Sequence, residues 1–392
     1  MNIQTIKRPA KRISVRYISN LGIKAYGEDN LYPQNVADVM AASSTGKPCL
    51  NRYVRFIEGN GLKDFDFAAY TVNRAGETVD DITKLITKDI GTYGGFALHV
   101  NYDVFGNIVE LQHEPFENCR LAEPDDSGFT SEIITHPDWS GRTTRGGKLL
   151  KVNAETIERF PVFNPRKEVI IKQIESVGGI ENYKGQILWV SLDGKFVYPI
   201  PKYDCALLEI SSDEGLSVVK YRNTRNNFLP SGIAVGLNSQ AKPNSSNHDE
   251  DNFDEQNSGF MESLEEFQGD ENACSIMGLT VDSMEEVPQF IEFPTKNFDK
   301  DFSVTETSVI ERIYSVFEQE IFHAIRIGKL GFSGNVICDA YDYYASLVNS
   351  EQRIIERAFK SIFEHWFEDV NPSKDFSIDP LKLNRNAVDN AK

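Results

Sequence analysis

The first ninety residues carry apolar positions spaced three or four apart, which is the period of an amphipathic helix. Pro33 and Pro48 lie where two such runs begin, and proline suits the first helical turn because it has no N–H to leave unpaired. Gly59 and Gly61 predict the end of the second helix, since glycine accepts the left-handed backbone of a helix C-terminus. A third helix is predicted over 80–90.

The period then changes to two, which is typical of half-buried strands. Two alternating runs, 96–102 and 108–111, are separated by a Gly-Asn turn and predict a β-hairpin. A second hairpin is predicted over 186–198, because the Asp-Gly pair at its centre is favoured in two-residue turns. Further strands are predicted over 131–135 and 160–163. Helices followed by antiparallel strands indicate an α+β fold.

The second half of the chain begins with a helix predicted over 213–228, and Pro230 ends it because proline cannot continue a helix. Short strands are predicted over 232–235, 274–279 and 290–293. The stretch 239–270 contains nine carboxylates and one lysine. Its few apolar side chains cannot offset an ordering cost of about 1–2 kcal/mol per residue, so 240–262 is predicted to be mobile and dispensable for folding.

Two long helices are predicted in the last third, where apolar residues again follow the helical period. Ser303 and Glu306 have capping-box spacing, so the first of these helices is predicted to begin there and to run to 327. The second is predicted to begin near 349. The glycine-rich connector 328–335 between them is either a mobile loop or an ordinary helix-to-helix turn. Both helices have apolar faces wider than one helix pair can bury, which predicts a homo-oligomer.

Composition and charge narrow the function classes. The 392 residues are 40% hydrophobic, enough to bury a core, and the net charge of -18 argues against a chain-wide affinity for phosphates. Five scattered cysteines without a Cys-x-x-Cys pair are predicted to be free thiols. No apolar run predicts a membrane-spanning helix or a secretory signal. The six cations of residues 1–24 predict either a solvated arm or a contact with an acidic neighbour or nucleic acid.

No enzyme motif is found, since the chain lacks the P-loop, nucleophile-elbow and H-E-x-x-H patterns. No cofactor and no specific metal site are therefore predicted. Asp249, Asp251 and Asp254 form an acidic cluster whose spacing is not that of an EF-hand, so a solvated loop is the default interpretation. A metal-dependent enzyme that processes nucleic acid through this cluster is the alternative function.

Five segments, in order along the chain, resemble segments of the portal proteins of tailed bacteriophages. They are 26–33 (YGEDNLYP), 57–62 (IEGNGL), 198–203 (YPIPKY), 227–232 (NFLPSG) and 266–273 (EFQGDENA). The resemblance implies a ring, usually of twelve copies, at one vertex of the capsid. DNA passes through the ring during packaging and ejection, and the subunit is not an enzyme.

The resemblance also implies a portal-like α+β architecture with an α/β wing, a helical stem, a small β-containing clip and C-terminal helices. The implied divisions are a basic arm (1–25), the wing (26–212), a stem helix (213–229), the clip (230–297), a second stem helix (298–327), the tunnel-loop region (328–349) and a wing or crown segment (350–392). Little chain follows Trp366, so any crown is expected to be small.

The partners and sites implied by the resemblance follow from these divisions. The partners are other copies of the chain, double-stranded DNA, the major capsid protein, the terminase large subunit and the head–tail adaptor. The chain is expected in the virion after synthesis in the host cytoplasm. Lys329, Ser333 and Asn335 are the predicted DNA-channel residues. The predicted partner-docking residues of the clip are Asp249, Asp251, Asp254 and Phe260.

Overall fold

The computed structural model describes residues 16–142, 144–145, 148–226, 232–237, 276–281, 298–330 and 334–383. Helices and small sheets are mixed in this part of the chain, which confirms the predicted α+β class. The chain divides into two compact units. The first unit combines Met1–Ser211 with Ile310–Lys392, and the second unit is Ser212–Val309. The second unit is therefore inserted in sequence between the two segments that form the first.

The elements of the described residues are numbered here in chain order. The helices are α1 (Tyr32–Ala42), α2 (Gly46–Glu58), α3 (Phe65–Ala68), α4 (Val79–Tyr93), α5 (Lys167–Ser176), α6 (Leu207–Asn226), α7 (Phe298–Val316), α8 (Glu320–Arg326), α9 (Gly334–Leu347) and α10 (Asn349–Phe363). The strands are β1 (Tyr17–Ile18), β2 (Ile23–Lys24), β3 (Gly95–Tyr102), β4 (Ile108–Glu114), β5 (Cys119–Leu121), β6 (Glu132–Thr135), β7 (Thr144–Arg145), β8 (Lys148–Leu149), β9 (Glu158–Pro161), β10 (Gln186–Ser191), β11 (Gly232–Leu237) and β12 (Ile276–Val281).

The three helices predicted near the N-terminus are confirmed as α1, α2 and α4. Pro33 lies in the first turn of α1, and α2 begins at Gly46, two residues before Pro48. Gly59 ends α2 with a φ of 65°, and a Cβ there would lie 2.2 Å from the carbonyl oxygen of Asp379. Glycine is therefore required at this position by both backbone conformation and space.

The hairpin predicted over 96–111 is confirmed as β3 and β4, which belong to the three-stranded antiparallel sheet β10-β3-β4. Helix α4 packs against this sheet and buries Ile82, Ile86 and Ile90. The sheet and α4, together with α2 and α1, form the core of the first unit's N-terminal segment. Both outer strands carry isolated bridges beyond the sheet, from Ile187 to Val162 and from Ile108 to Trp366.

The hairpin predicted over 186–198 is wrong in its second half. Residues 186–191 form β10, but β10 pairs with β3 and residues 195–198 are not a strand. The carboxylate of Asp193 accepts a hydrogen bond from the backbone N–H of Ile200 at 2.7 Å, which turns the chain away from β10. Tyr198 is buried instead, and its hydroxyl bonds to the backbone of Lys24 and Leu121.

A second small sheet, β5-β6-β9, supports the β1–β2 hairpin. The strand predicted over 131–135 is confirmed as β6, and the one predicted over 160–163 begins two residues earlier as β9. The apolar side chains packed between this sheet and the hairpin include Leu21, Ile23, Ala122, Ile134, Trp139 and Ile157. This separate cluster fixes the N-terminal hairpin on the first unit.

The helix predicted over 303–327 differs from the structure at its start and in its middle. Helix α7 begins at Phe298, so Ser303 lies inside a helix and is not its cap. The helix then stops at Val316, and Glu318 has a φ of 55°. The apolar period continued through this break because Phe317, within the break, and Ile325, in the helix that follows it, are both buried.

Buried Gln319 sets the start of α8 after the break. Its Nε2 donates to the carbonyl of Cys49 at 2.9 Å and to the hydroxyl of Tyr344 at 3.0 Å. Its Oε1 accepts from Arg52 at 2.7 Å, and the Tyr344 hydroxyl donates to the carbonyl of Phe317. One amide side chain thus connects the break to α2 and α9.

The helix predicted to begin near 349 is confirmed as α10. Its apolar face is covered within the first unit, where Phe359 and Phe363 contact Phe67 and Phe363 also contacts Phe376. Helix α9 was not predicted, and it packs against α2 and α10. The width of the α10 face therefore gives no reason to expect an oligomer, and the prediction of a ring needs other support.

The inserted second unit is entered by α6 and left by α7, and Lys220 of α6 pairs with Glu306 of α7 at 2.5 Å. The helix predicted over 213–228 is confirmed as far as Asn226, beyond which residues 227–228 lie outside the described residues, and α6 begins earlier, at Leu207. The strands predicted over 232–235 and 274–279 are confirmed as β11 and β12, which pair in parallel. The strand predicted over 290–293 lies outside the described residues.

Arg120, at the centre of β5, holds the segment that begins α1. Its Nε donates to Asn30 Oδ1 at 2.7 Å, and its Nη2 donates to the Asn30 carbonyl at 2.6 Å. Asn30 Oδ1 also accepts the backbone N–H of Tyr26 at 3.0 Å, and Asn30 has a φ of 62°. The guanidinium therefore stabilises a left-handed turn, a conformation that asparagine tolerates better than most residues.

The Arg120 side chain is completely buried, so its remaining donors also need acceptors. Its Nη1 donates to the carbonyls of Cys119 and Glu117 at 2.7 and 2.8 Å. The guanidinium also lies 4.9 Å from the centre of the Trp139 ring and 5.7 Å from that of Tyr26. Burial lowers the pKa of Arg120 to about 10, which still leaves it charged at neutral pH.

We predict that Arg120→Met destabilises the first unit by about 2–4 kcal/mol, because the oxygens of Asn30 lose a charged donor inside the protein. Arg74→Met is the matched control, since Arg74 is 87% exposed and pairs with Glu110 at 3.7 Å. The control should change stability by less than about 0.5 kcal/mol. Urea unfolding measures both variants, and equal effects would contradict the role assigned to Arg120.

Candidate nucleic-acid interface

The predicted DNA-channel residues lie around the connector that follows α8. The backbone N–H of Lys329 donates to the carbonyl of Ala324 at 2.9 Å, and that of Gly328 donates to Ile325 at 3.0 Å. Gly328 has a φ of 76°, so these two bonds form a Schellman motif. The glycine that opens the connector is therefore required to end α8, and it gives a defined turn there.

The last turn of α8 and the connector present three basic side chains, His323, Arg326 and Lys329, spaced three residues apart. Arg326 and Lys329 are exposed, and Arg326 Nη1 donates to the hydroxyl of Tyr314 at 3.0 Å. That hydrogen bond raises the pKa of Arg326, so its charge is permanent. The Tyr314 ring lies 4.8 Å from the His323 ring, which helps to hold the turn.

Of the three predicted residues, Lys329 and Asn335 are described and Ser333 is not. Asn335 is exposed in the first turn of α9, on the other side of the connector from Lys329. Sequence reasoning missed Arg326, although its spacing of three from Lys329 places both at the same helix end. Residues 334–335 belong to α9, so the connector is shorter than predicted.

The exposed groups here can bind anions but offer no acid–base or nucleophilic chemistry. A guanidinium, an ammonium and an amide are donors suited to brief contacts with phosphate oxygens. A cation in the last turn also stabilises a helix through its dipole, and this structural role accounts for Arg326 without any ligand. Lys329 is exposed and lies beyond the end of α8, so the helix dipole does not account for it. Contact with an anion is therefore its candidate role.

The predicted docking residues Asp249, Asp251, Asp254 and Phe260 lie outside the described residues, as does the segment 240–262. The acidic cluster that the alternative enzyme would use therefore also lies outside the described residues. Across the described ranges, no group of three or more His, Cys, Asp or Glu side chains could hold a metal ion. In the same ranges, no helix is both long and apolar enough to cross a membrane.

A buried acid–histidine pair lies between α4 and β4. Asp89 Oδ2 lies 2.7 Å from His113 Nε2 and accepts the backbone N–H of Phe116 at 3.2 Å. Nearby Cys119 is fully buried, and burial raises the pKa of its thiol well above the usual value. A nucleophilic cysteine requires a lowered pKa and access to a substrate, so this arrangement is a structural one.

We predict that Glu114, which neighbours His113 on β4, makes the free energy of unfolding decrease as the pH rises. Burial raises the pKa of Glu114 from 4.5 to about 7, so the folded state holds this proton more tightly than the unfolded state. The resulting stabilisation is complete below pH 4.5 and is lost as the pH rises to 7. Glu114→Gln should therefore be more stable than the wild type at pH 8, by about 1–3 kcal/mol, and nearly equal to it at low pH.

The matched control for this prediction is Glu168→Gln, because Glu168 lies exposed on α5. Urea unfolding at several pH values measures the difference between each variant and the wild type. A Glu114→Gln difference that does not change with pH would contradict the assigned pKa.

No protein-family model matches this chain, and no curated protein matches its sequence. Solved structures with a partial likeness include three from gene transfer agent (GTA) particles. The neck of the native particle, computed with C12 symmetry, matches with a TM-score of 0.44 and 13% identity, covering 86% of this chain and 82% of that chain.

The two further structures have lower scores. The virion of the native particle matches with a TM-score of 0.37 and 13% identity, covering 72% of this chain and 67% of the other. The neck of the empty particle, computed with C6 symmetry, matches with a TM-score of 0.37 and 13% identity, covering 73% and 69%. Likeness of this extent assigns no function to the chain.

Proposed function

We propose that this chain is a portal protein of the tailed-bacteriophage type, a ring subunit at one capsid vertex through which DNA is packaged and ejected. The observation that carries the proposal is the path of the chain. One unit is built from Met1–Ser211 and Ile310–Lys392, and a second unit is inserted between those segments. Helix α6 leads into the insertion, the short strands β11 and β12 lie within it, and α7 leads out.

This order supports the divisions that the resemblance implies. The first unit corresponds to the wing, α6 and α7 to the stem helices, and β11 with β12 to the clip. The tunnel-loop region 328–349 would consist of the connector followed by α9. The C-terminal segment 350–392 contributes α10, which packs on α2 and α4 as part of the wing.

Two of the resembling segments occupy positions where the fold requires their residues. The segment 26–33 contains Asn30, whose left-handed turn is held by Arg120. The segment 57–62 contains Gly59, where any side chain would clash with the Asp379 backbone. Their sequence patterns therefore reflect structural requirements of the wing, and this supports the resemblance at the level of the fold.

The proposed role of the exposed residues Lys329 and Asn335 is weak contact with passing DNA. A chain with a net charge of -18 that offers few cations to the channel would let the duplex slide, because tight neutralisation of phosphates would hold it. The clip, with its acidic segment, would dock the head–tail adaptor and the terminase large subunit. The major capsid protein would surround the ring in the virion.

We predict that the double variant Lys329→Gln with Asn335→Ala folds and assembles like the wild type but packages or retains less DNA, by a factor of a few. The side chains are exposed, so their loss should change stability by no more than about 0.5 kcal/mol. Lys172→Gln on α5 is the control for loss of one exposed positive charge. Unchanged packaging would place the connector away from the DNA path, and failure to fold would make it a structural element.

We also predict that replacing 240–262 by a short Gly-Ser linker leaves the melting temperature nearly unchanged. The segment has too few apolar residues to contribute to a core. The same replacement should weaken binding of an adaptor or motor protein if the segment docks one. A fall of many degrees would show that the segment packs against the rest of the protein.

A further inference from the structure

Two loops of the first unit meet to expose a small apolar surface. The ring of Phe129, in the loop after β5, lies 5.2 Å from the ring of Phe196, in the loop after β10, with the planes at 85°. Phe129 is 46% exposed and neighbouring Val197 is 43% exposed. We call the surface formed by Phe129, Phe196 and Val197 the aromatic platform.

Both loops are held rigidly enough to present these side chains. Asp125 Oδ1 accepts the backbone N–H groups of Ser127 and Phe129, each at 2.9 Å, and the Asp125 N–H donates to the Phe129 carbonyl. Phe196 has a φ of 58°, a conformation that is costly for a bulky side chain. The fold thus maintains an aromatic pair, with Phe129 exposed and Phe196 half-buried, where a polar turn would be less costly.

The rim of the aromatic platform is acidic. Four exposed carboxylates belong to its two loops, and they are Glu123, Asp125, Asp126 and Asp193. The one cation within the two loops is Lys195, whose Nζ lies 5.4 Å from the centre of the Phe196 ring. An occupant of this surface should therefore combine apolar side chains with positive charge.

The first 15 residues of the chain have this composition. They carry four cations and no carboxylate, and their β-branched apolar side chains are Ile3, Ile6, Ile13 and Val15. The described chain starts at Arg16, beside β1, and the adjacent strand β2 bridges to Ala122, immediately before the Phe129 loop. A 15-residue segment can extend about 50 Å, so the platform is well within its reach.

We propose that residues 1–15 of the chain bind the aromatic platform of the same molecule, with Ile13 and Val15 on the rings and the arm's cations beside the acidic rim. The short connection through Arg16 favours the molecule's own arm over that of another copy, because the effective concentration of a tethered segment is high. This inference does not depend on ring assembly or on any contact with DNA.

Hydrogen exchange of the full-length protein tests the proposal. Replacing Lys7, Arg8, Lys11 and Arg12 by glutamine should speed amide exchange in residues 123–130 and 193–198 about threefold to tenfold, and Phe129→Ser should have the same effect. Phe105→Ser is the matched control, since Phe105 is an exposed aromatic on the β3–β4 hairpin. Salt at about 1 M should reproduce the effect of the arm replacements, because the Debye length falls to about 3 Å.

A synthetic peptide of residues 1–15 gives a second readout. Added to the arm variant, it should restore slow exchange at both loops, and added to the wild type it should have no effect. Exchange that is the same in the wild type and the arm variant would overturn the proposal. Protection that increases with protein concentration would also overturn it, since another copy's arm would then be the occupant.

Discussion

The buried guanidinium of Arg120 is the interaction on which the arrangement of the first unit depends. It joins β5 to the turn before α1, and it does so through oxygens of Asn30 whose own geometry is a left-handed turn. The tyrosine that opens this segment, Tyr26, stacks on Tyr198 at 4.0 Å and donates its hydroxyl to the Pro199 carbonyl. Arg120 thereby joins the start of α1 to the second sheet, and Tyr26 joins the same segment to the loop that leads to α6.

A second constraint acts where the inserted unit returns to the first. The break between α7 and α8 is fixed by Gln319, which reaches α2 and α9 from a fully buried position. Ion pairs at the surface add little to such a junction, as is usual for exposed pairs. The chain that returns from the insertion is thus held in the core of the first unit by one buried amide side chain.

The sequence predicted the parts of the fold that have one strong local signal. The hairpin of β3 and β4 followed from strict alternation, and the end of α2 followed from Gly59, whose backbone and surroundings exclude other residues. Helix α5 was missed because it buries only Ile170 and Ile174, too short an apolar stripe to recognise. The prediction of the second hairpin failed because β10 pairs with β3 and not with residues 195–198. The local turn residues do not reveal that pairing.

The candidate site likewise combines residues that the sequence predicted with features that it did not predict. Lys329 and Asn335 were predicted from a glycine-rich connector and are exposed, but the Schellman turn and the contribution of Arg326 depend on where α8 ends. That end is set by Gly328, and the start of α8 is set by buried Gln319 at a break that has no signature in the apolar period. Tertiary hydrogen bonds such as those of Gln319 determine where a helix breaks, and the local apolar pattern does not reveal them.

The central claim is that copies of this chain form a ring with an open channel, and electron microscopy of the purified full-length protein tests it most directly. The account predicts end-on views of an annulus with a central hole, including when the ring size varies between particles. Only isolated particles of the size of one 44.3 kDa chain, at every protein concentration and salt tried, would contradict it.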